Sequence, residues 1–213
     1  MRITIFGATG NIGRVVVDEA LSRGHHVTAI TRDAKKAAHL PSGANVEVGD
    51  VNSIADVIRF SRGQDLVISA TRPAQGQEKQ LAAIAHALLE GLLETHTRLL
   101  LVGGAACLTV PNTKGKLVLD DEQFVPLAWK AIAQACYEQY QHCVSHRNQN
   151  WTYMSPAALI GSGERTGQFR ISDAELLIDE AGKSQISWQD FAIALLNEAE
   201  SPQFLGGKFT VGY

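Results

Sequence analysis

Apolar residues along the chain fall into two alternating patterns. In the first they stand in short, nearly continuous runs. Examples are Ile3, Ile5 and Phe6 around Thr4, then Leu66-Val67-Ile68, and later Leu99-Leu100-Leu101-Val102. Such runs, bounded by polar or glycine turns, read as strands covered on both faces. In the second pattern they recur three and four apart, as in Leu81, Ile84, Ala85, Leu88, Leu89 and Leu92, which makes one stripe of a helix. Read this way, the chain has strands at 3–6, 25–30, 46–48, 65–69, 98–102 and 152–154, with a last one at 208–211. Helices fall at 15–21 (stopped by Gly24), 53–61, 77–94 and 127–147. Ile54, Val57 and Ile58 should share the inner face of the second, and Trp129, Ile132, Ala133, Cys136, Tyr140 and Val144 that of the fourth. A final helix starts after Ser187 as N-cap, with Asp190 in its first turn. Residues 35–39 form a short polar helix or turn ended by Pro41, and 108–124 are mostly loop. Strand-like pieces are expected near 169–171 and 176–179.

Strand and helix thus alternate five times, about 25 residues apart, with no hairpin turn between them. Parallel strands need such crossovers, and right-handed crossovers place helices on both faces of the sheet. The expected fold class is α/β: a doubly wound, mostly parallel, Rossmann-like sheet. Residues 1–213 make one domain, in which 155–187 contribute a small C-terminal substrate-side region. In that class ligands sit at the carboxyl ends of the strands.

The first strand runs into Gly7-Ala-Thr-Gly-Asn-Ile-Gly13, with glycines at every third position, and then into a helix. A strand, a tight glycine turn and a helix N-terminus together bind pyrophosphate. Unpaired backbone N–H groups and the helix dipole meet the anion, and the missing Cβ atoms let the chain approach it. The spacing is G-x-x-G-x-x-G and not G-x-G-x-x-G, so the β–α context carries as much weight as the motif. Gly7, Thr9, Gly10, Asn11, Ile12 and Gly13 are the expected cofactor-facing residues.

Composition narrows the classes. A formal charge of −3 leaves no basic footprint for nucleic acid. No run of about 18 apolar residues is present to span a membrane. The N-terminus enters a strand directly, without the layout of a signal peptide. Cys136 and Cys143 lie roughly 10 Å apart along a helix, too far for a disulfide. A cytoplasmic location is expected. His142 and His146 have the i, i+4 spacing of a zinc pair, but no third ligand is evident, so they read as a polar helix face and no metal is expected.

Residues 7–13, Gly49-Asp50-Val51, Trp151-Thr-Tyr-Met-Ser-Pro-Ala157, Gly163-Glu-Arg-Thr-Gly167, Ile186-Ser-Trp-Gln-Asp-Phe-Ala192 and Phe209-Thr-Val-Gly-Tyr213 resemble the atypical short-chain dehydrogenase/reductases. Within them the chain is most similar to the NAD(P)-binding group of NADH-flavin reductases, akin to NmrA-like proteins and biliverdin reductase B. The resemblance covers the whole chain. It implies that Asp50 contacts the adenine amino group and Val51 the ring, the rival role for Asp50 being a turn cap. It also places Ala70, Thr71 and Arg72 along ribose and pyrophosphate, and Ser155, Pro156 and Ala157 beside the nicotinamide.

An acid at the end of the second strand would select NAD through its ribose 2′-OH. Thr31 stands there, followed by Arg32, whose guanidinium can clamp a 2′-phosphate. NADP(H) is therefore expected in preference to NAD(H), with Asp33 as the residue that would reverse the choice. The Tyr-x-x-x-Lys acid of the classical members is missing, because Gln141 follows Tyr137 and Val144 follows Tyr140 at that spacing. Hydride transfer to a flavin or quinone-like small-molecule acceptor tolerates that loss, since the acceptor is itself an electron sink. Cys107, Trp129, Glu164 and Arg165 are substrate-side candidates. A non-catalytic NADP(H) sensor of the NmrA kind is the alternative, and a nucleotide-sugar epimerase or dehydratase the third. The protein is expected as monomer or homodimer.

Overall fold

The structure is a computed structural model that describes residues 1–213, except the side chains of Ala34, Lys36 and His39. Strands β1 (Arg2–Phe6), β2 (His26–Thr31), β3 (Asn45–Val48), β4 (Leu66–Ser69), β5 (Arg98–Val102), β6 (Trp151–Ser155), β7 (Leu159–Gly161), β8 (Arg170–Ser172), β9 (Gln185–Ser187) and β10 (Gly207–Gly212) are joined by five helices. These are α1 (Asn11–Ser22), α2 (Ile54–Ser61), α3 (Gln80–Thr95), α4 (Lys130–Ser145) and α5 (Trp188–Glu200). Eight strands make one sheet in the order β3-β2-β1-β4-β5-β6-β10-β8, and β7 pairs with β9 apart from it. Every pairing is parallel except that of β10 with β8. This is the Rossmann-like, doubly wound fold. Among the described residues no helix is long and apolar enough to cross a membrane.

The continuous apolar runs follow from burial on both faces. Ile3, Ile5, Leu66, Ile68 and Leu100 face one core with α1 and α5. Phe6, Val67, Leu99 and Leu101 point the other way, into a second core with α2, α3 and α4. Each fully buried Leu or Ile contributes roughly 1.5–3 kcal/mol over its exposed state.

Three helices depart from the reading of the sequence. α3 begins at Gln80 and not at 77, because backbone turns closing on Ala74 and Gln77 precede it. On α2 Val57 is buried, while Ile54 is exposed and Phe60 takes the inner place expected for it. α4 begins at Lys130 after a separate 3-10 turn over Leu127–Trp129. Its buried residues are Ala135, Gln139 and Cys143, whereas Trp129 and Val144 are about half exposed. The reason is chemical: Gln139 occupies the seam, where its amide donates to Leu81 O and its Oε1 accepts from Tyr153 Oη, so a polar residue is satisfied inside. In the C-terminal third, β8 matches the expected strand near 169–171. Residues 176–179 form no strand, and the short β7 and β9 were not foreseen.

Candidate functional site

β1 ends at Phe6, and Gly7 turns the chain with φ of +77°. A Cβ on Gly7 would lie 2.6 Å from Ala70 O, and one on Gly13 would lie 2.0 Å from Gly7 O. The turn therefore sits directly against the end of β4, and neither position admits a side chain. Gly10 N donates to Gly7 O at 3.0 Å, and Arg14 N to Gly10 O at 2.9 Å. The N–H groups of Asn11, Ile12 and Gly13 precede that first helical bond and have no intrahelical acceptor. Gly10, the N-cap, has no side chain to offer them, and no acid stands in the first turn to compete with an anion.

Above this turn runs a cleft with two connected ends, of 440 and 820 Å³. Ile12, Ala70, Thr71, Arg72 and Ile160 border both. The smaller end takes in Gly7, Thr9, Gly10, Asn11, Thr31, Arg32 and Val51, all expected from the sequence. Its charged lining residues are Arg32 and Arg72 alone among the described residues, so the field there favours an anion. Asp33, the residue that would select NAD, is not in the lining. Its carboxylate accepts from Lys35 N at 2.9 Å and caps the following turn. Thr31 Oγ1 is tied to the backbone of Asp33, at 3.1 and 3.2 Å. Asp50 is also outside the lining. It accepts from the backbone and side-chain nitrogens of Asn52, and those bonds with the charge of Arg32 hold its carboxyl below the ordinary range against the opposing effect of burial. Its neighbours Gly49, Val51 and Asn52 form that wall. Gly13 acts by packing and not by contact with the cleft.

The larger end is mostly apolar. Pro156 and Ala157 follow β6 into it, Trp129 and Ile132 border it from the start of α4, and Ile186 from β9. Arg72, Gln139, Glu164 and Tyr213 are among its polar lining residues, and Trp129 is 49% exposed at the rim. Three expected residues lie elsewhere. Ser155 and Cys107 are buried behind the wall, with Sγ 3.5 Å from Ser155 Oγ, because the strand places Ser155 towards the core. Arg165 is not in the lining: its guanidinium forks onto Glu19 of α1, Nε and Nη2 each 3.0 Å from a carboxylate oxygen. Burial pushes the Cys107 thiol up and that of Cys136, which borders the cleft, up to about 12, so neither offers a thiolate.

Two parts of this end were not read from the sequence. The segment 103–106 after β5 forms one wall, its place at the carboxyl end of a strand being the signal for it. The other is the anchor of the glycine-rich loop. Asp190, fully buried, accepts from Thr166 N and Gly167 N at 2.8 Å each, from Thr166 Oγ1, and from Tyr213 Oη at 2.8 Å. Burial alone would raise its pKa, but these bonds outweigh it and hold the group below the ordinary value. The N-cap role of Ser187 towards Asp190 N, at 3.0 Å, is as the sequence predicts. Tyr137 and Tyr140 lie outside the lining; Tyr140 packs edge-on against Tyr153 and Trp151.

A fold with glycine-cradled helix N–H groups and arginines beside them defines a nucleotide-binding α/β protein. The family described as NAD(P)H-binding matches residues 7–202, and the chain belongs to that family. It is 34% identical to the uncharacterized protein YwnB of Bacillus subtilis, over 99% of this chain and 98% of that one. Among solved structures, a Burkholderia pseudomallei protein provisionally named as exported shares 38% identity over the full length of both chains, with a TM-score of 0.90. A Streptococcus pneumoniae protein provisionally named an NADH-flavin reductase shares 30% over 100% of this chain and 99% of its own, with a TM-score of 0.88. A nicotinamide nucleotide is thus the cofactor class, and the open N–H groups and glycine cradle fit its pyrophosphate.

Proposed function

We propose that the protein is an NADPH-dependent reductase that passes a hydride to a flavin or quinone-like acceptor. The observation that carries this reading is the composition of the two ends of one cleft. Arginines alone charge the nucleotide end, while an apolar cavity wide enough for a planar ring system opens at Pro156 and Ala157. When bound, the reduced nicotinamide supplies the hydride.

The chain's own residues have narrower tasks. The N–H groups of Asn11 and Ile12 and Arg72 hold the pyrophosphate, and Arg32 takes the 2′-phosphate. With Asp33 engaged as a cap, no carboxylate in the lining is offered to a ribose 2′-OH, which supports NADP(H) over NAD(H). Val51 faces the adenine. Ile12, Pro156, Ala157 and Ile186 exclude water and press the acceptor flat, and Trp129 closes the rim. Residues 155–187 form the substrate side, through Glu164 and the loop that Arg165 and Asp190 anchor. Among the described residues no lysine lines the cleft, and Tyr213, which does, already donates its hydroxyl hydrogen to Asp190. A carbonyl acceptor would lack an acid; a flavin or quinone takes its proton from solvent.

The test is turnover. Purified protein with NADPH or NADH and a panel of FMN, riboflavin, a benzoquinone and biliverdin should consume nicotinamide absorbance faster than buffer, NADPH ahead of NADH. Rates equal to the protein-free blank with every acceptor, together with tight NADPH binding, replace the reductase by an NADP(H) sensor.

A further inference from the structure

Helices α3 and α4 lie side by side on one face of the sheet, and each carries a polar pair one turn apart. On α3 these are His86 and Glu90; at the end of α4 they are His142 and His146. The fold brings the two pairs together. One nitrogen from each of His86, His142 and His146 lies within 4.8 Å of the others. Ring centroids are 5.5 Å apart for His86 and His142, 5.7 Å for His142 and His146, and 6.3 Å for His86 and His146. None of these residues borders the nucleotide cleft.

An ordinary polar seam would satisfy its members, and this one does not. His142 Nε2 is sealed from solvent with no hydrogen-bond partner among the described residues. A buried nitrogen left unpaired is costly, so such groups are normally bonded. Glu90 supplies the carboxylate missing from the sequence pattern: its Oε1 is 2.9 Å from His146 Nε2 and its Oε2 is 3.1 Å from Arg147 Nη2.

We propose that His86, His142 and His146 form a binding site for one divalent transition-metal ion of the zinc or nickel class, with Glu90 as fourth ligand or as the carboxylate that orients the ligands. Bonds of about 2.0–2.1 Å in a tetrahedron put nitrogens roughly 3.4 Å apart, so the rings must close inwards by about an ångström. His86, exposed at the edge, is free to move. His146 has to exchange partners. Its Nδ1 now accepts from Asn148 N at 3.0 Å, so Nε2 carries the proton that Glu90 receives. Ligation through Nε2 moves that proton to Nδ1 and turns the ring away from Asn148, leaving Glu90 to the ion. The cysteines do not compete. Cys143 is buried in the core, and Cys107 and Cys136 lie away from the cluster at the acceptor wall. The ion would clamp α3 to α4 and leave the chemistry of the cleft alone.

Calorimetric titration of the full chain with Zn²⁺ should show one saturable site, and Co²⁺ should give the visible spectrum of a nitrogen-rich tetrahedral site. His86→Gln and His142→Ala should each weaken Zn²⁺ by about tenfold or more. His86→Gln changes an exposed side chain and keeps NADPH affinity, which reports an intact fold. Absence of saturable binding overturns the proposal, as does one site per chain that survives both substitutions.

Discussion

The two ends of the cleft are built on opposite plans. At the nucleotide end, turns following consecutive strands form the lining, and much of it is backbone: glycines with no room for a Cβ, and N–H groups left open by the helix start. At the acceptor end, walls come from the loop after β5, the start of α4, residues after β6, β9 and Tyr213, joined mainly through side chains. A backbone site fails with one atom in the wrong place. A side-chain site degrades gradually and can be retuned, which is how one cofactor fold serves many acceptors.

Substitutions in the two ends should expose that contrast. The largest effect is expected for Gly13→Ala, whose Cβ meets Gly7 O at 2.0 Å. NADPH binding should vanish by titration, and unfolding in urea should show a loss of about 3 kcal/mol or more. Unchanged binding would separate the glycine turn from the pyrophosphate.

Asp190→Ala comes next, because it strands the N–H groups of Thr166 and Gly167 and the Tyr213 hydroxyl together. Denaturation should report ~2–4 kcal/mol, with acceptor KM rising more than NADPH Kd. The same group sets a pH dependence. Its folded pKa lies below the ordinary 3.8, so its contribution is complete above that value and disappears as pH falls below it towards the folded pKa. In Asp190→Asn that segment of the stability–pH curve should flatten; an unaltered slope would show that the carboxylate is not the titrating anchor.

Arg32→Ala should weaken NADPH about tenfold, the scale of an exposed charge-assisted contact, and leave NADH nearly unchanged. Equal losses for both would remove the 2′-phosphate from this arginine. Smallest is Trp129→Ala at the rim: acceptor KM should rise about two- to fivefold in steady-state kinetics, with cofactor affinity intact.

The contrast also explains what the sequence disclosed. Runs such as Leu66-Val67-Ile68 are buried on both sides, so their strand character is local and readable. The glycine turn is contiguous and carries its own periodicity, and Thr31, Arg32 and Val51 follow at the ends of strands already placed. The acceptor end is assembled from distant segments, and no local pattern says which residue reaches it. Arg165 sits in a narrow motif yet turns to Glu19, and Gln139, polar by type, lies buried in the α4 seam. His86 could not be joined to His142 before α3 and α4 were side by side.

Glu19 links the two plans. It is buried on α1, the helix whose first turn borders the nucleotide end of the cleft, and its carboxylate binds both Arg23 and Arg165. A shift of that helix along its axis would therefore drag the loop over 164–167 with it. The two compartments are geared and not merely adjacent, joined through a single buried carboxylate.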